Sequence, residues 1–232
     1  MHAQAWRSHL LQGQWFSHLP SSLQDSLLSL ARVRRLSAGQ RLFARGDAPC
    51  GLYAVLEGAI RVGAVSEQGK EALLSLIEPV HWFGEICLFD GQPRTHDADA
   101  VGSSVLLQIP QATLLAFLDQ QPQHWRHLAL LMSHKLRLTL INLEQLTLLP
   151  APARVAHRLL MIAQGYGETT ATRRVLQLPQ EQLALLLSLS RQTTNQILKD
   201  LEHQGMLRLG YGEIELLDTP RLQALAGVDG FN

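Results

Sequence analysis

Over residues 33–109 the chain keeps turning back on itself. Ala38-Gly39, Gly46-Asp47, Glu57-Gly58 and Gln68-Gly69 mark turns at intervals of about ten residues. Short apolar runs lie between and after them: residues 52–56 (LYAVL), 59–65 (AIRVGAV), 72–77 (ALLSLI), 98–101 and 104–109. Such runs are strand-sized and too short for stable helices. Their rhythm predicts an all-β sandwich or barrel over this stretch. Gly58 is expected to serve a turn of positive φ, with no ligand contact.

The flanks read differently. Residues 1–20 carry Trp6, Trp15 and Phe16 without clean periodicity, as in a helical or irregular lead. Pro20, Ser21 and Ser22 offer a helix start, followed by Leu23, Leu27, Leu28 and Leu30. Arg32, Arg34 and Arg35 suit a solvated strand edge. After the strands, residues 110–118 read as a short helix and residues 122–149 as a long one. On the long helix Trp125, Leu128 (or Ala129), Met132, Leu136, Thr139, Leu143 and Leu146 recur in steps of mostly three and four. That 3.5-residue period is a coiled-coil seam, although an amphipathic helix packed on its own domain gives a similar pattern. The expectation is a parallel homodimer with Met132, Leu136, Leu143 and Leu146 at its interface. Pro150 and Pro152 cannot continue the helix and place a hinge there. The expected divisions are residues 1–121, 122–149 and 150–232.

Composition excludes more than it selects. A chain of 232 residues with 46% hydrophobic and 17% charged residues has room for two modest globular domains. Lys+Arg and Asp+Glu are 20 each, so the overall balance gives no hint of nucleic acid. The N-terminal region has no apolar run with a cleavage site, and no stretch of about 18 apolar residues occurs. Neither a signal peptide nor a membrane partner is expected, and the expected location is cytoplasmic. Cys50 and Cys87 read as free thiols, too few for a four-thiolate cluster, so no iron–sulfur cluster or metal is expected. The ten histidines are scattered, and no serine lies in a nucleophile elbow, so an enzyme is not expected. Gly69 and Lys70 lack the rest of a phosphate-loop motif and fit a hairpin turn. His81 is a candidate haem ligand, but no partner stands at ligand spacing.

Residues 83–96, FGEICLFDGQPRTH, hold the first chemical constellation. Gly84 lets backbone approach a ligand closely, because it has no Cβ. Amides of the following turn can face an anion. Arg94 offers a planar fork for phosphate oxygens, Thr95 a hydroxyl, and Glu85 an acceptor for a ribose hydroxyl. The same residues also suit a polar turn with Arg94 in a surface ion pair.

Residues 179–202 hold the second. Residues 180–187 form a short helix with Leu183, Ala184 and Leu187 inward, and Ser188 and Leu189 turn the chain. Ser190 is the N-cap of a second helix, whose inward stripe is Thr194, Ile197, Leu198 and Leu201. Arg191, Gln192, Asn195, Gln196 and Lys199 share the opposite face, which is expected to carry no acidic residue. Arg can pair with guanine, and Gln or Asn with adenine, in the major groove. Thr193 beside them can reach a phosphate. Residues 206–209 and 214–217 then flank Gly210, Tyr211 and Gly212 as a hairpin, which makes a winged helix-turn-helix. Arg208 is its one basic residue.

These features, in this order, resemble the catabolite activator (CRP/FNR) family of bacterial transcription regulators from about residue 42 to residue 225. The GLYAVLEGAIRV run is similar to the family's entry into its β-roll, and SRQTTNQILKDLE to its recognition helix. The resemblance implies an α+β chain: an N-terminal β-roll (jelly-roll) cyclic-nucleotide-binding domain, a long dimerisation helix and a C-terminal winged helix-turn-helix. It implies that Gly84, Arg94 and Thr95 hold a cyclic phosphate and Glu85 the ribose 2′-hydroxyl. In cAMP-responsive relatives a Thr matching Thr139 is followed by a Ser, and the pair contacts adenine. Here Leu140 follows, which opens the choice of base between cAMP and cGMP. Haem, another ligand or no effector are the family's alternatives, and sensing through protein contacts alone is a more distant one. The recognition helix departs from the best-known pattern at Gln192 and Gln196, so only Arg191 carries over as a base reader. The turn commonly has Gly where Ser188 stands. The implied partners are near-palindromic double-stranded DNA, a second copy of the chain and RNA polymerase.

Overall fold

The computed structural model describes residues 3–167, 169 and 172–227. The chain divides into two compact units, Met1–Arg137 and Leu138–Asn232.

The first unit opens with a 3-10 turn (Ala3–Trp6) and three helices, α1 (Arg7–Leu10), α2 (Gln14–Ser17) and α3 (Ser21–Leu30). Strands β1 (Arg32–Leu36), β2 (Arg41–Phe43), β3 (Leu52–Val65), β4 (Glu71–Ile77), β5 (Trp82–Phe83) and β6 (Asp97–Ile109) form one antiparallel sheet. Helix α4 (Ile86–Asp90) interrupts it, and α5 (Gln111–Gln120) follows. The order is β1-β6-β3-β4, with β2 also on β6 and β5 on β3.

Two long bulged strands replace four short ones. The expected turn at Glu57 and Gly58 is an irregularity within β3, where the register against β6 shifts between Val55 and Glu57 and again between Glu57 and Ala59. Gly58 has φ 74° as expected, and a Cβ there would lie 2.4 Å from Ser104 Oγ. An extra residue lets a strand bend without ending. The apolar LYAVL run reflects burial on both faces. Leu52, Ala54 and Leu56 join a core with Leu23, Leu27, Leu114, Leu118 and Leu128, while Tyr53 and Val55 face an inner core with Phe43, Phe83 and Leu106.

Helix α6 (Trp125–Leu148) spans 24 residues after a short 3-10 turn (Pro122–His124), and the dividing line between the units falls within it. Leu128 and Leu131 are buried in the core beside the sheet. Further along, Leu136, Leu140, Leu143 and Leu146 are exposed, Leu136 at 58% and Leu143 at 60%.

The second unit continues with α7 (Ala151–Ala163), in which Pro152 sits in the first turn, where its missing N–H costs nothing. His157 of α7 is buried, and its Nε2 lies 2.7 Å from Gln145 Nε2. Burial pushes its pKa down to about 4. Strand β7 (Val175–Leu176) was not anticipated. It pairs with β9 (Ile214–Leu216), which also pairs with β8 (Leu207–Leu209). Between them lie α8 (Gln180–Leu186) and α9 (Arg191–His203), and α10 (Thr219–Ala226) follows. The structure is thus the expected mixed fold: strand-rich first unit, long helix, winged helix-turn-helix.

Candidate functional site

The segment after Phe83 is built around a buried cation. Arg94 is only 4% exposed. Its Nη1 donates to Gly84 O at 3.0 Å and its Nη2 to Gly51 O at 2.6 Å. Nη2 also lies 3.2 Å from Cys50 Sγ, and Nη1 lies 3.7 Å from Cys87 Sγ. The guanidinium carbon sits 4.4 Å above the Phe43 ring and 5.8 Å from the centre of Tyr53. Buried Nε has no partner. Among the described residues no carboxylate pairs with Arg94. The surface-ion-pair alternative is therefore overturned: the side chain is inside, and its neighbours are carbonyls, sulfurs and aromatic faces. A buried charge without a counter-ion is costly, so the arrangement favours an incoming anion.

The loops that carry it are pinned by their backbones. Arg94 N donates to Asp47 O, and Gly46 N donates to Arg94 O, both at 2.8 Å. Gly84 adopts φ 96°, and a Cβ on it would lie 2.8 Å from Gly51 O and 3.0 Å from Arg94 Nη1. The close backbone approach expected of Gly84 is thus directed at Arg94 and its carbonyl cradle. The apolar segment after Glu85 is the short helix α4, preceded by Glu85 as its N-cap residue. Glu85 is buried, and its Oε2 accepts from Lys135 Nζ at 2.8 Å. Thr95 is exposed, with Oγ1 3.0 Å from His96 Nδ1. Thr139 is exposed on α6 and has a polar interaction of its own.

Sequence reasoning missed Lys135, Gly51, Phe43 and the two thiols. Lys135 stands one turn before Thr139, a legible signal. Phe43 comes from β2, Cys50 and Gly51 from the segment before β3, and Cys87 from α4. His81 is buried, with Nδ1 near the Glu78 and Pro79 carbonyls at 3.1 and 3.0 Å. No group of three metal-ligating side chains occurs among the described residues.

In the second unit Ser190 caps α9 as expected: its Oγ accepts from Thr193 N at 3.0 Å. Thr194, Ile197, Leu198 and Leu201 are all buried. Arg191, Gln192, Thr193, Gln196 and Lys199 are exposed, and Asn195 is half-buried. Ser188 has φ 52°, so this non-glycine residue accepts the left-handed turn where glycine is cheaper. The polar face is not free of acid, because Asp200 Oδ1 accepts from Gln196 Nε2 at 2.9 Å. Nor is the wing's cation unpaired: Arg208 Nη1 lies 3.0 Å from Glu215 Oε2. Thr193 Oγ1 lies 2.7 Å from Ser190 Oγ, so the cap also holds the hydroxyl assigned to a phosphate.

A strand-rich unit with a buried arginine, a long helix and a winged helix-turn-helix define a DNA-binding regulator. Known proteins agree. Residues 33–121 match the cyclic nucleotide-binding domain model, and residues 153–225 the Crp-like helix-turn-helix domain model. A CRP-like cAMP-activated global transcriptional regulator of Mycobacterium tuberculosis is 33% identical over 186 residues, covering 79% of this chain and 83% of that protein. A cyclic AMP receptor protein of Thermus thermophilus is 32% identical, covering 87% of this chain and 91% of that one. A solved CRP/FNR-family transcriptional regulator of Thermus thermophilus aligns with TM-score 0.68 at 30% identity, over 86% of this chain and all of that one. The chain belongs to the CRP/FNR family of transcription regulators, with a cyclic nucleotide-binding domain and a DNA-binding helix-turn-helix. No helix among the described residues is long and apolar enough to cross a membrane.

Proposed function

We propose that this regulator is a homodimer whose β-roll binds cAMP or cGMP and whose two recognition helices read a near-palindromic DNA site. The buried Arg94 guanidinium, without a carboxylate among the described residues, carries the proposal. A cyclic phosphate supplies the missing anion, with Thr95 and the Gly84 turn beside it. Glu85 accepts from the ribose 2′-hydroxyl while sharing its charge with Lys135. Thr139 faces the base. The exposed Leu136, Leu143 and Leu146, together with Met132, form the dimer seam. Arg191, Gln192, Asn195, Gln196 and Lys199 read bases, and Thr193 contacts a phosphate. Successive half-sites lie about 34 Å apart. The dimer acts in the cytoplasm, with RNA polymerase as partner.

Calorimetric titration with cAMP and cGMP, after stripping any co-purified ligand, tests this reading. Binding that disappears in Arg94→Ala, with the melting curve still cooperative, is the expected result. Leu140 favours one second reading, an effector that is not a cyclic nucleotide or none at all, and binding of neither nucleotide supports it.

A further inference from the structure

The two cysteines of this chain stand at the two terminal nitrogens of Arg94. Cys50 is half-buried and Cys87 buried, and neither is in a disulfide. Cys50 comes from the segment before β3 and Cys87 from α4, so folding alone brings them to the same guanidinium. Two observations make this more than coincidental packing. Arg94 is buried with no carboxylate partner among the described residues and with Nε unpartnered, so the pocket wants an anion. The Cys50 sulfur, at 3.2 Å from Nη2, is the nearest atom there on which a covalent anion can be made.

We propose that Cys50 is a peroxide-modifiable thiol whose oxidised sulfur takes Arg94 as its counter-ion and closes the anion site from within. The proposal rests on the cyclic-phosphate reading of Arg94. The Cys50 thiolate attacks one oxygen of hydrogen peroxide. An S–O bond forms and the O–O bond breaks. The departing hydroxide takes the proton released by the thiol and becomes water. Sulfur is oxidised to the sulfenic acid and peroxide is reduced. The sulfenic acid then gives its proton to solvent water, and the sulfenate oxygen beside Nη2 pairs with the guanidinium that a cyclic phosphate needs.

Cys87 does not carry the reaction. Burial raises its thiol pKa and keeps it protonated, and the thiolate is the nucleophile. Half-buried Cys50 is the thiol that a small oxidant reaches.

The test treats the reduced full chain with hydrogen peroxide and traps sulfenate with dimedone. Mass mapping then locates the label, and titration with cAMP and cGMP is repeated before oxidation, after it, and after dithiothreitol. The label is expected on Cys50 and not on Cys87. Nucleotide affinity should fall roughly tenfold or more on oxidation, the scale of one charge-assisted contact, and recover with dithiothreitol. Whatever its own nucleotide affinity, Cys50→Ser should show no further loss on peroxide treatment, whereas Cys87→Ser should still lose affinity on oxidation and regain it with dithiothreitol. Unchanged affinity after Cys50 is fully oxidised overturns the proposal, as does the absence of label at Cys50. If the reduced protein binds neither nucleotide, the functional reading fails, and the label on Cys50 alone decides this one.

Discussion

The cassette around Arg94 and the recognition helix α9 both present polar groups to a ligand, in opposite states. In the cassette Arg94 and Glu85 are buried and already engaged, while Thr95 is exposed. Arg94 rests on two backbone carbonyls, and Glu85 on Lys135. On α9 the groups proposed to read bases are mostly at the surface, and Gln196 is held by Asp200. The contrast follows from the ligands. A small anion must be taken out of water and gains from a low-dielectric, preformed site. DNA is larger than the domain that reads it and is met by an exposed helix whose side chains pay their ordering cost on contact. The cassette therefore depends on long-range packing, and the helix on local sequence.

The largest expected effect comes from breaking the cassette with one methyl group. Gly84→Ala places a Cβ against Gly51 O and Arg94 Nη1 at a positive φ. Strain of about 1–3 kcal/mol and a loss of nucleotide affinity of tenfold or more are expected by melting and calorimetry. Normal binding would show that the cradle is softer than this comparison requires.

Breaking the head should be cleaner. Arg191→Ala removes an exposed side chain with little effect on folding. It should weaken specific DNA binding by about 1–3 kcal/mol in a fluorescence anisotropy titration, leaving nucleotide affinity unchanged. Equal loss on specific and random DNA would reassign Arg191 to a phosphate.

Ser190→Ala sharpens the point that the head is locally determined. Losing the cap should cost about 1 kcal/mol of stability, seen as a shifted denaturant midpoint, and Ser190→Asp should restore most of it.

A further effect, carried by the second unit, is a pH dependence set by buried His157. The folded protein keeps His157 neutral down to about pH 4, whereas the ordinary value is 6.5. The unfolded chain therefore binds the extra proton in that window, and stability falls as pH drops through it. His157→Gln should flatten the melting temperature between pH 6.5 and 4 relative to wild type.

The sequence by itself determined what is short-range. Turn rhythm announced the strands, the period of α6 its exposed leucines, and the spacing around Ser190 the cap and buried stripe of α9. Each depends on residues a few positions apart, where periodicity and capping chemistry act directly. Gly58 was legible for the same reason, as a place where the backbone takes a positive φ.

What only the tertiary structure decided is long-range. The bulges that carry β3 and β6 through expected breaks depend on cross-strand pairing. So does β7, a two-residue strand that exists because β9 is beside it. Arg94 could be read as a phosphate ligand from its neighbours in the chain. Its burial, its carbonyl cradle, the pairing of Glu85 with Lys135 and the two sulfurs could not, because Phe43, Cys50, Gly51, Cys87 and Lys135 meet only when the roll closes. The electrostatics of a buried charge are set by whatever packing brings within a few ångströms, and sequence separation carries no record of that distance.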